Sequence, residues 1–351
     1  MRVVVVGATG NVGTSLLEAL GREDAVDSVL GLARRLPSGS YAKTDFAAAD
    51  VVRDDLVSHF RGADCVVHLA WLIQPSRVEA ELQRVNVEGS RRVFEAAARA
   101  GVKTIVYASS VGAYSHGPKD RRVDESWPTE GISTSFYSRH KAAVEQILDS
   151  FEAVNPEVSV VRMRPGLVFK REAATQIRRL FVGPFLPSAL VRRMFVPVVP
   201  DLPRLRFQAV HTEDLAEAYR LALLHPEARG AFNIAAEPVL DPKALAETLG
   251  AARLPLHPGL ARAAAGASFR LRLQPTEPGW LDMGLGVPLM DTSRAQRELG
   301  WEPRRTAIEA FEELFDGIRQ NAGLSTPPLD PQTSGPMRIR EILTGIGQTS
   351  E

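Results

Sequence analysis

The stretch Gly7-Ala8-Thr9-Gly10-Asn11-Val12-Gly13 follows directly on Arg2-Val3-Val4-Val5-Val6 and leads into Thr14-Ser15-Leu16-Leu17-Glu18-Ala19-Leu20, whose apolar spacing is helical. A strand, a glycine-spaced loop and a helix in immediate succession leave few folds open. Four valines in a row suit a strand buried on both faces, the kind that parallel sheets contain. At the end of such a strand one glycine permits a tight turn, a second lets backbone approach a pyrophosphate, and a third lets helix pack closely on strand. Gly7, Gly10 and Gly13 fall in that order. The helix start adds unpaired N–H groups and the positive end of its dipole. Gly7, Thr9, Gly10, Asn11, Val12 and Gly13 are therefore the candidate dinucleotide seat. The spacing is GxxGxxG where the commonest fingerprint is GxGxxG, and a plain turn is the alternative.

The same rhythm continues. SVLGLA near residue 30, DCVVHLA, TIVYASS and VSVVRMRP are short valine-rich runs separated by longer segments of helical period. From Val78 to Ala100, apolar residues at Leu82, Val85, Val93, Phe94 and Ala97 predict a crossover helix that ends at Gly101. The expected fold is α/β: a doubly wound parallel Rossmann-type sheet with a smaller C-terminal substrate-binding lobe. Residues 1–165 make the dinucleotide-binding domain, with 206–227 returning to it. Residues 166–205 and 228–321, where prolines thicken, make the lobe, and 322–351 reads as a flexible tail with a short docking segment at Met337 to Leu343. Ligands of such sheets sit beyond the carboxyl ends of the strands.

The second strand ends in Gly31-Leu32-Ala33-Arg34-Arg35, where a carboxylate would bind a ribose diol. Two guanidiniums stand there instead and suit a ribose phosphate, so NADP is expected in preference to NAD; a solvated basic turn is the alternative. Asp50-Val51, at the end of the third strand, is placed to meet the adenine edge, or Asp50 to cap the next helix.

Tyr137 and Lys141 are four residues apart and so share one face of a helix. A tyrosine of pKa about 10 is a poor base near neutrality, and a nearby ammonium favours its phenolate. Tyr137 would then exchange a proton with an alcohol or carbonyl while a nicotinamide exchanges hydride. The strand TIVYASS ends in Ser109 and Ser110, at the sheet edge where chemistry is expected, and Ser110 is placed to hold the reacting oxygen.

GATGNVG, HLA at His68 to Ala70, NVEG at Asn86 to Gly89, ASSVGAY at Ala108 to Tyr114, YSRHK, RPG at Arg164 to Gly166, VHTEDLA, GAFNI and DTSRAQRELGWEP occur in order. In these motifs the chain resembles the extended short-chain dehydrogenase/reductases, the NAD(P)-dependent epimerase/dehydratase group, over nearly everything before the tail. The resemblance implies Ser110, Tyr137 and Lys141 as the catalytic triad, with Lys141 also on the nicotinamide ribose. It implies Leu69, Ala70 and Pro165 beside the cofactor, and Asn86 among the catalytic residues from the crossover helix.

The group's dehydratases need an acid/base carboxylate pair after the active serine, where this chain has Val111-Gly112, and its nucleotide-sugar members tend to carry an arginine where this chain has Phe207. The expected activity is hydride transfer on a carbonyl/alcohol substrate; a nucleotide-sugar epimerase is the alternative, and a dinucleotide sensor without catalysis the second. Lys170, Arg171, Arg178, Arg179, Arg192, Arg193, Arg204 and Arg206 suit a diphosphate or a solvated face, and Phe181, Phe185, Leu186, Leu190, Met194 and Phe195 suit a less polar substrate. The substrate is thus a small molecule, anionic or nucleotide-linked among the choices. With 42 basic and 42 acidic residues no overall field draws nucleic acid. No apolar run approaches the roughly 20 residues of a membrane span. The single Cys65 and the absence of metal-ligand spacing argue against a disulfide framework and a metal site. Cytoplasm is the expected location, with a homodimer left open.

Overall fold

The valine run forms β1 (Arg2–Val6), and Val3, Val4 and Val5 are fully buried, each adding about 1.5–3 kcal/mol by leaving water. The computed structural model describes residues 1–73, 78–174, 176–177, 197–271 and 276–330. Six further strands join β1: β2 (Ser28–Ala33), β3 (Thr44–Ala48), β4 (Cys65–His68), β5 (Thr104–Ala108), β6 (Ser159–Pro165) and β7 (Gly230–Ile234). They make one seven-stranded parallel sheet in the order β7-β6-β5-β4-β1-β2-β3. The order reverses at β1, which pairs with β2 on one side and β4 on the other, and a crevice opens there beyond the strand ends.

Helices cover both faces. The helix Asn11–Gly21 packs with Thr212–Leu224 over one face through Leu16, Leu17, Leu20, Leu215 and Tyr219. Gly89–Arg99 and Phe136–Val154 cover the other through Val93, Phe94, Leu148 and Phe151. The crossover expected from Val78 to Ala100 is a helix Glu79–Gln83, a widened π turn Arg84–Glu88 and the helix Gly89–Arg99. At its close approach to the sheet a Cβ on Gly89 would lie 2.7 Å from Val51 Cγ2. Extra-wide turns of this kind break the ordinary helical register and often mark functional positions.

Two boundaries differ from the sequence reading. GAFNI, assigned to the lobe, is the edge strand β7 of the main sheet, in register with β6 from Gly230–Val161 to Ile234–Pro165. Conversely Phe207–His211, assigned to the first domain, pairs with Leu167–Phe169 and Ala236–Leu240 in a three-stranded sheet of the lobe, and only the following helix Thr212–Leu224 returns to the main core. The helix Ala307–Gln320 packs on that second sheet, through Ala307, Ala310 and Leu314. The expected tail also begins too early: Thr326 and Leu329 are buried, and Leu324 N–H donates to the Leu329 carbonyl. Met337 to Leu343 lie outside the described residues.

Candidate active site

The glycine loop closes against its neighbours. Gly7 sits at φ +90°, and a Cβ there would lie 2.6 Å from the Ala70 nitrogen; on Gly13 it would lie 2.5 Å from the Ala8 carbonyl oxygen. Both glycines are demanded by the chain's own backbone: Gly7 lets β1 meet the segment after β4, and Gly13 seats the helix on the loop. Gly10 differs. It precedes the helix at φ −80°, ψ −178°, and a Cβ there would meet only the Gly7 oxygen at 3.5 Å. Nothing among the described residues needs that space.

Gly10 faces an open cleft in the crevice. Of the residues assigned to the dinucleotide in the sequence, Gly7, Thr9, Gly10, Arg34, Arg35, Asp50, Val51, Leu69 and Ala70 line it. Asn11, Val12, Gly13, Lys141 and Pro165 do not. Asn11 turns inward, its Nδ2 donating to the Val168 carbonyl and its Oδ1 accepting from Thr212 Oγ1; Val12 packs on the core, and Pro165 is buried at the end of β6. Trp71, Leu72, Val85, Gln176, Pro327 and Pro328 also line the cleft and were missed. The two prolines read as tail, and no spacing marked them. Lys170, expected in an anion-binding run, is instead buried beneath the first helical turn, donating to the Asn11 carbonyl, Thr14 and Ser15. Burial pushes its pKa down to about 8.

Arg34 and Arg35 are exposed at the cleft, and neither forms an ion pair among the described residues. Partial desolvation at the cleft wall, then the neighbouring Arg34 charge, draws the Arg35 pKa down. Asp50 lines the cleft but does not cap the next helix: Asp55 caps Leu56–Phe60 by accepting from Val57 N–H, and the Asp50 Oδ1 accepts from Val52 N–H at 2.8 Å in the turn before it. A backbone cradle at a helix start and a cleft beyond the strand ends together fit a dinucleotide. Of the other arginines expected to meet an anion, Arg171 bonds Gln320, Arg204 donates to the Gly117 and Leu285 carbonyls, and Arg206 to the Lys119 carbonyl. Arg178, Arg179, Arg192, Arg193 and the apolar residues among them, Phe181, Phe185, Leu186, Leu190, Met194 and Phe195, lie outside the described residues.

Beyond the cleft, the end of β5 meets the start of the helix Phe136–Val154, which Ser135 caps by accepting from Ser138 N–H. Ser109 and Ser110 part ways there. Ser109 Oγ donates to Glu145 at 2.5 Å, under the sheet edge; Ser110 Oγ accepts from Gly112 N–H at 3.0 Å and lies beside the Tyr137 phenol. Glu145 is fully buried between Arg162 and Arg164, and although burial opposes its charge, the Arg164 pair holds its pKa down at about 2. Arg164 also reaches Tyr114, whose hydroxyl donates to Asn233. This network fixes β5 and β6 together one turn below Lys141.

Lys141 is buried, its Nζ donating to the Ala108 carbonyl at 2.6 Å and lying 3.5 Å from the Trp71 ring centroid. The Tyr137 ring stands 5.8 Å from that ammonium, with Trp280 at 4.9 Å and Trp71 at 5.9 Å between centroids. Burial pushes the Tyr137 pKa up to about 12, against the lowering effect of the neighbouring Ser110 hydroxyl. The expected depression by Lys141 is not present in this arrangement, because the ammonium is turned to Ala108 and covered by an indole. Burial also pushes the Lys141 pKa well down, with Glu145 opposing. Asn86, in the widened turn, is almost wholly buried and touches neither Tyr137 nor Ser110; its Oδ1 accepts from Leu72 N–H at 2.7 Å and its Nδ2 donates to the Leu72 carbonyl at 3.1 Å. It is a positioning residue for the segment after β4. Among the described residues no group of three or more His, Cys, Asp or Glu could hold a metal ion, and no helix is long and apolar enough to cross a membrane.

Residues 3–235 match the model of the NAD dependent epimerase/dehydratase family. The chain belongs to that family. It is 27% identical over 327 residues to the uncharacterized protein Rv2047c of Mycobacterium tuberculosis, covering 92% of this chain but only 31% of that protein. The chain thus spans about a third of the length of the first curated relatives it matches. It is 24% identical over 352 residues to a UDP-glucose 4-epimerase of Neisseria meningitidis serogroup C, covering 91% of this chain and 98% of the relative. Among solved structures, gox2253 superposes with TM-score 0.71 at 21% identity, over 92% of this chain and 99% of that one. A UDP-glucuronic acid 4-epimerase from Bacillus cereus, in complex with UDP-glucuronic acid and NAD, superposes with TM-score 0.66 at 18% identity, over 92% and 100%. These structural likenesses share the fold.

Proposed function

We propose that this protein is an NADP-preferring oxidoreductase that interconverts a carbonyl and an alcohol on a small molecule, with Tyr137 as the acid/base. The observation that carries the reading is the meeting of the Tyr137 phenol, Ser110 and Lys141 at the end of β5, next to Trp71 at the inner end of the dinucleotide cleft. When bound, the dinucleotide supplies or accepts hydride at the substrate carbon. Ser110 holds the substrate oxygen, and Tyr137 passes it a proton. With a pKa of about 12 the phenol is protonated at neutral pH, which equips it to donate to a carbonyl oxygen. In the oxidative direction it must first lose that proton, so the rate of alcohol oxidation rises with pH toward the phenol's pKa. Arg34 and Arg35 meet the ribose phosphate.

A second reading is an epimerase on a nucleotide sugar, favoured by the likeness to a UDP-glucose 4-epimerase over nearly that protein's whole length. Val111-Gly112 after Ser110 supplies no carboxylate pair for an elimination. A panel of ketones, aldehydes and nucleotide sugars, followed by NADPH absorbance and by product identity, separates the two. On whichever substrate reacts, Tyr137→Phe should lower turnover about 100-fold to 10,000-fold and leave dinucleotide affinity intact. Turnover at the parent rate would refute Tyr137 as the acid/base.

A further inference from the structure

Trp71 has no role in the proposed reaction, yet it lies against both Lys141 and Tyr137. It follows Leu69 and Ala70 out of β4 and lines the inner end of the cleft with Leu72 and Val85. Its ring face lies on Lys141 Nζ at 3.5 Å and its edge faces the Tyr137 ring, at 73° between planes. Its Nε1–H is buried and finds no acceptor among the described residues. Nor is the segment loosely placed: both hydrogen bonds of Asn86 fix the very next residue, Leu72.

The indole closes the approach to Lys141. Lys141 is 3% exposed, and the Ala108 carbonyl, the Tyr107 hydroxyl at 3.5 Å and the Trp71 face stand around its ammonium. A hydroxyl entering from the cleft reaches Nζ only if the indole leaves that face. A dinucleotide with its pyrophosphate on the Gly10 turn must run past Ala70 to bring its nicotinamide end to Tyr137, and so arrives where Trp71 lies.

We propose that Trp71 is a competing side chain of the nicotinamide site, whose indole holds Lys141 by a cation–π contact and must be exchanged for the ribose hydroxyls of the dinucleotide. This rests on Lys141 and Tyr137 serving the nicotinamide end. The exchange explains the orphaned Nε1–H: an indole that moves has its donor served elsewhere, and one left buried in place does not. It also links two steps, because the side chain that uncovers Lys141 uncovers the edge of Tyr137 as well. The adenosine half, which sits among Arg34, Arg35 and Asp50, does not meet the indole.

The test is equilibrium binding, by calorimetry, of NADP+ and of adenosine 2′,5′-bisphosphate, which carries the adenosine half alone. Trp71→Ala should tighten NADP+ binding between about threefold and thirtyfold, the range a partly desolvated cation–π contact supports, and leave the bisphosphate unchanged. Trp71→Phe, a smaller ring that keeps a weaker contact, should fall between parent and Trp71→Ala, and unchanged bisphosphate binding reports an intact fold for each. Weaker or unaltered NADP+ binding in Trp71→Ala would overturn the proposal, the weaker case making Trp71 a stacking support for the nicotinamide. Lys141→Met separates the two readings: if it weakens NADP+ and not the bisphosphate, Lys141 serves the nicotinamide end whatever Trp71 does. If it weakens neither, the underlying assignment falls, and this proposal with it.

Discussion

Replacing the three loop glycines by alanine, one at a time, should separate what the loop does for the fold from what it does for the ligand. At Gly7 alanine must adopt φ +90°, which costs an L residue about 1–2 kcal/mol, and its Cβ would stand 2.6 and 2.8 Å from two backbone atoms of Ala70. Backbone cannot swing aside as a side-chain end can, so a further 1–3 kcal/mol of displacement is expected, about 3 kcal/mol in all. At Gly13 the backbone is helical and alanine regains up to about 1 kcal/mol of helix propensity, yet its Cβ would stand 2.5 Å from the Ala8 oxygen, and the helix must lift off the loop. A net loss of about 1–2 kcal/mol follows. At Gly10 the dihedrals are open to any residue and the nearest atom is at 3.5 Å, so stability should change by under about 1 kcal/mol. Thermal denaturation should therefore rank the variants Gly7→Ala, Gly13→Ala, Gly10→Ala from most to least destabilised, with the first melting about 5 °C below the parent. Dinucleotide titration should mark Gly10→Ala out: a methyl at the turn keeps the pyrophosphate off the backbone N–H groups, and losing one such charge-assisted bond weakens binding roughly tenfold to a hundredfold. A Gly10→Ala protein that binds NADP+ as tightly as the parent would refute the seat assigned here, and a Gly7→Ala protein that melts with the parent would refute the close approach to Ala70.

Arg34→Ala combined with Arg35→Ala should abolish a tenfold or greater preference for NADPH over NADH, measured by fluorescence titration; equal affinities in the parent would remove the basis for the expectation. Ser110→Ala should reduce turnover with little change in cofactor affinity, whereas Ser109→Ala, which strips Glu145 of a hydrogen bond, should act first on melting temperature; the reverse pattern would shift the catalytic register by one residue. Leu329→Asp places a charge where no water reaches and should release Pro327 and Pro328 from the cleft, weakening NADP+ and adenosine 2′,5′-bisphosphate alike; unaltered binding of both would show that this wall is dispensable. Glu145 has a folded pKa of about 2, below its ordinary 4.5, so its stabilisation is whole above about pH 4.5 and is lost as pH falls toward 2. Glu145→Gln should thus flatten the acid limb of a stability-against-pH curve, and a limb of unchanged slope would place the titration elsewhere.

The parts of this molecule that could be read from the chain are those whose cause is local. Four valines in a row are buried because β1 lies at the middle of a parallel sheet, and Gly7 and Gly13 are glycines because backbone passes within 3 Å of where a side chain would begin. Tyr137 and Lys141 share a face by helical period alone. The boundaries of the lobe were misread for a related reason: RFQAV and GAFNI are equally good strands, and only pairing across long separations, of β7 with β6 and of Phe207–His211 with Leu167–Phe169, decides which sheet each one joins.

What escaped the sequence is the closure of the site, which depends on residues that meet only in space. Pro327 and Pro328 reach the cleft from nearly 300 residues beyond Arg35, in a stretch whose composition is that of a tail. Asn86 could be placed near the site, but its role as the clamp on Leu72 required the widened turn at Arg84–Glu88, which no apolar period announces. The consequence is largest at Tyr137 and Lys141. Four-residue spacing brings Lys141 toward Tyr137, and from that alone the phenol's pKa should fall; the structure raises it to about 12 because the ammonium bonds Ala108 and is covered by Trp71. Spacing fixes which groups are neighbours, whereas the protonation equilibrium depends on how each neighbour is solvated. The side chain that decides this is 66 residues before Tyr137, at the end of another strand.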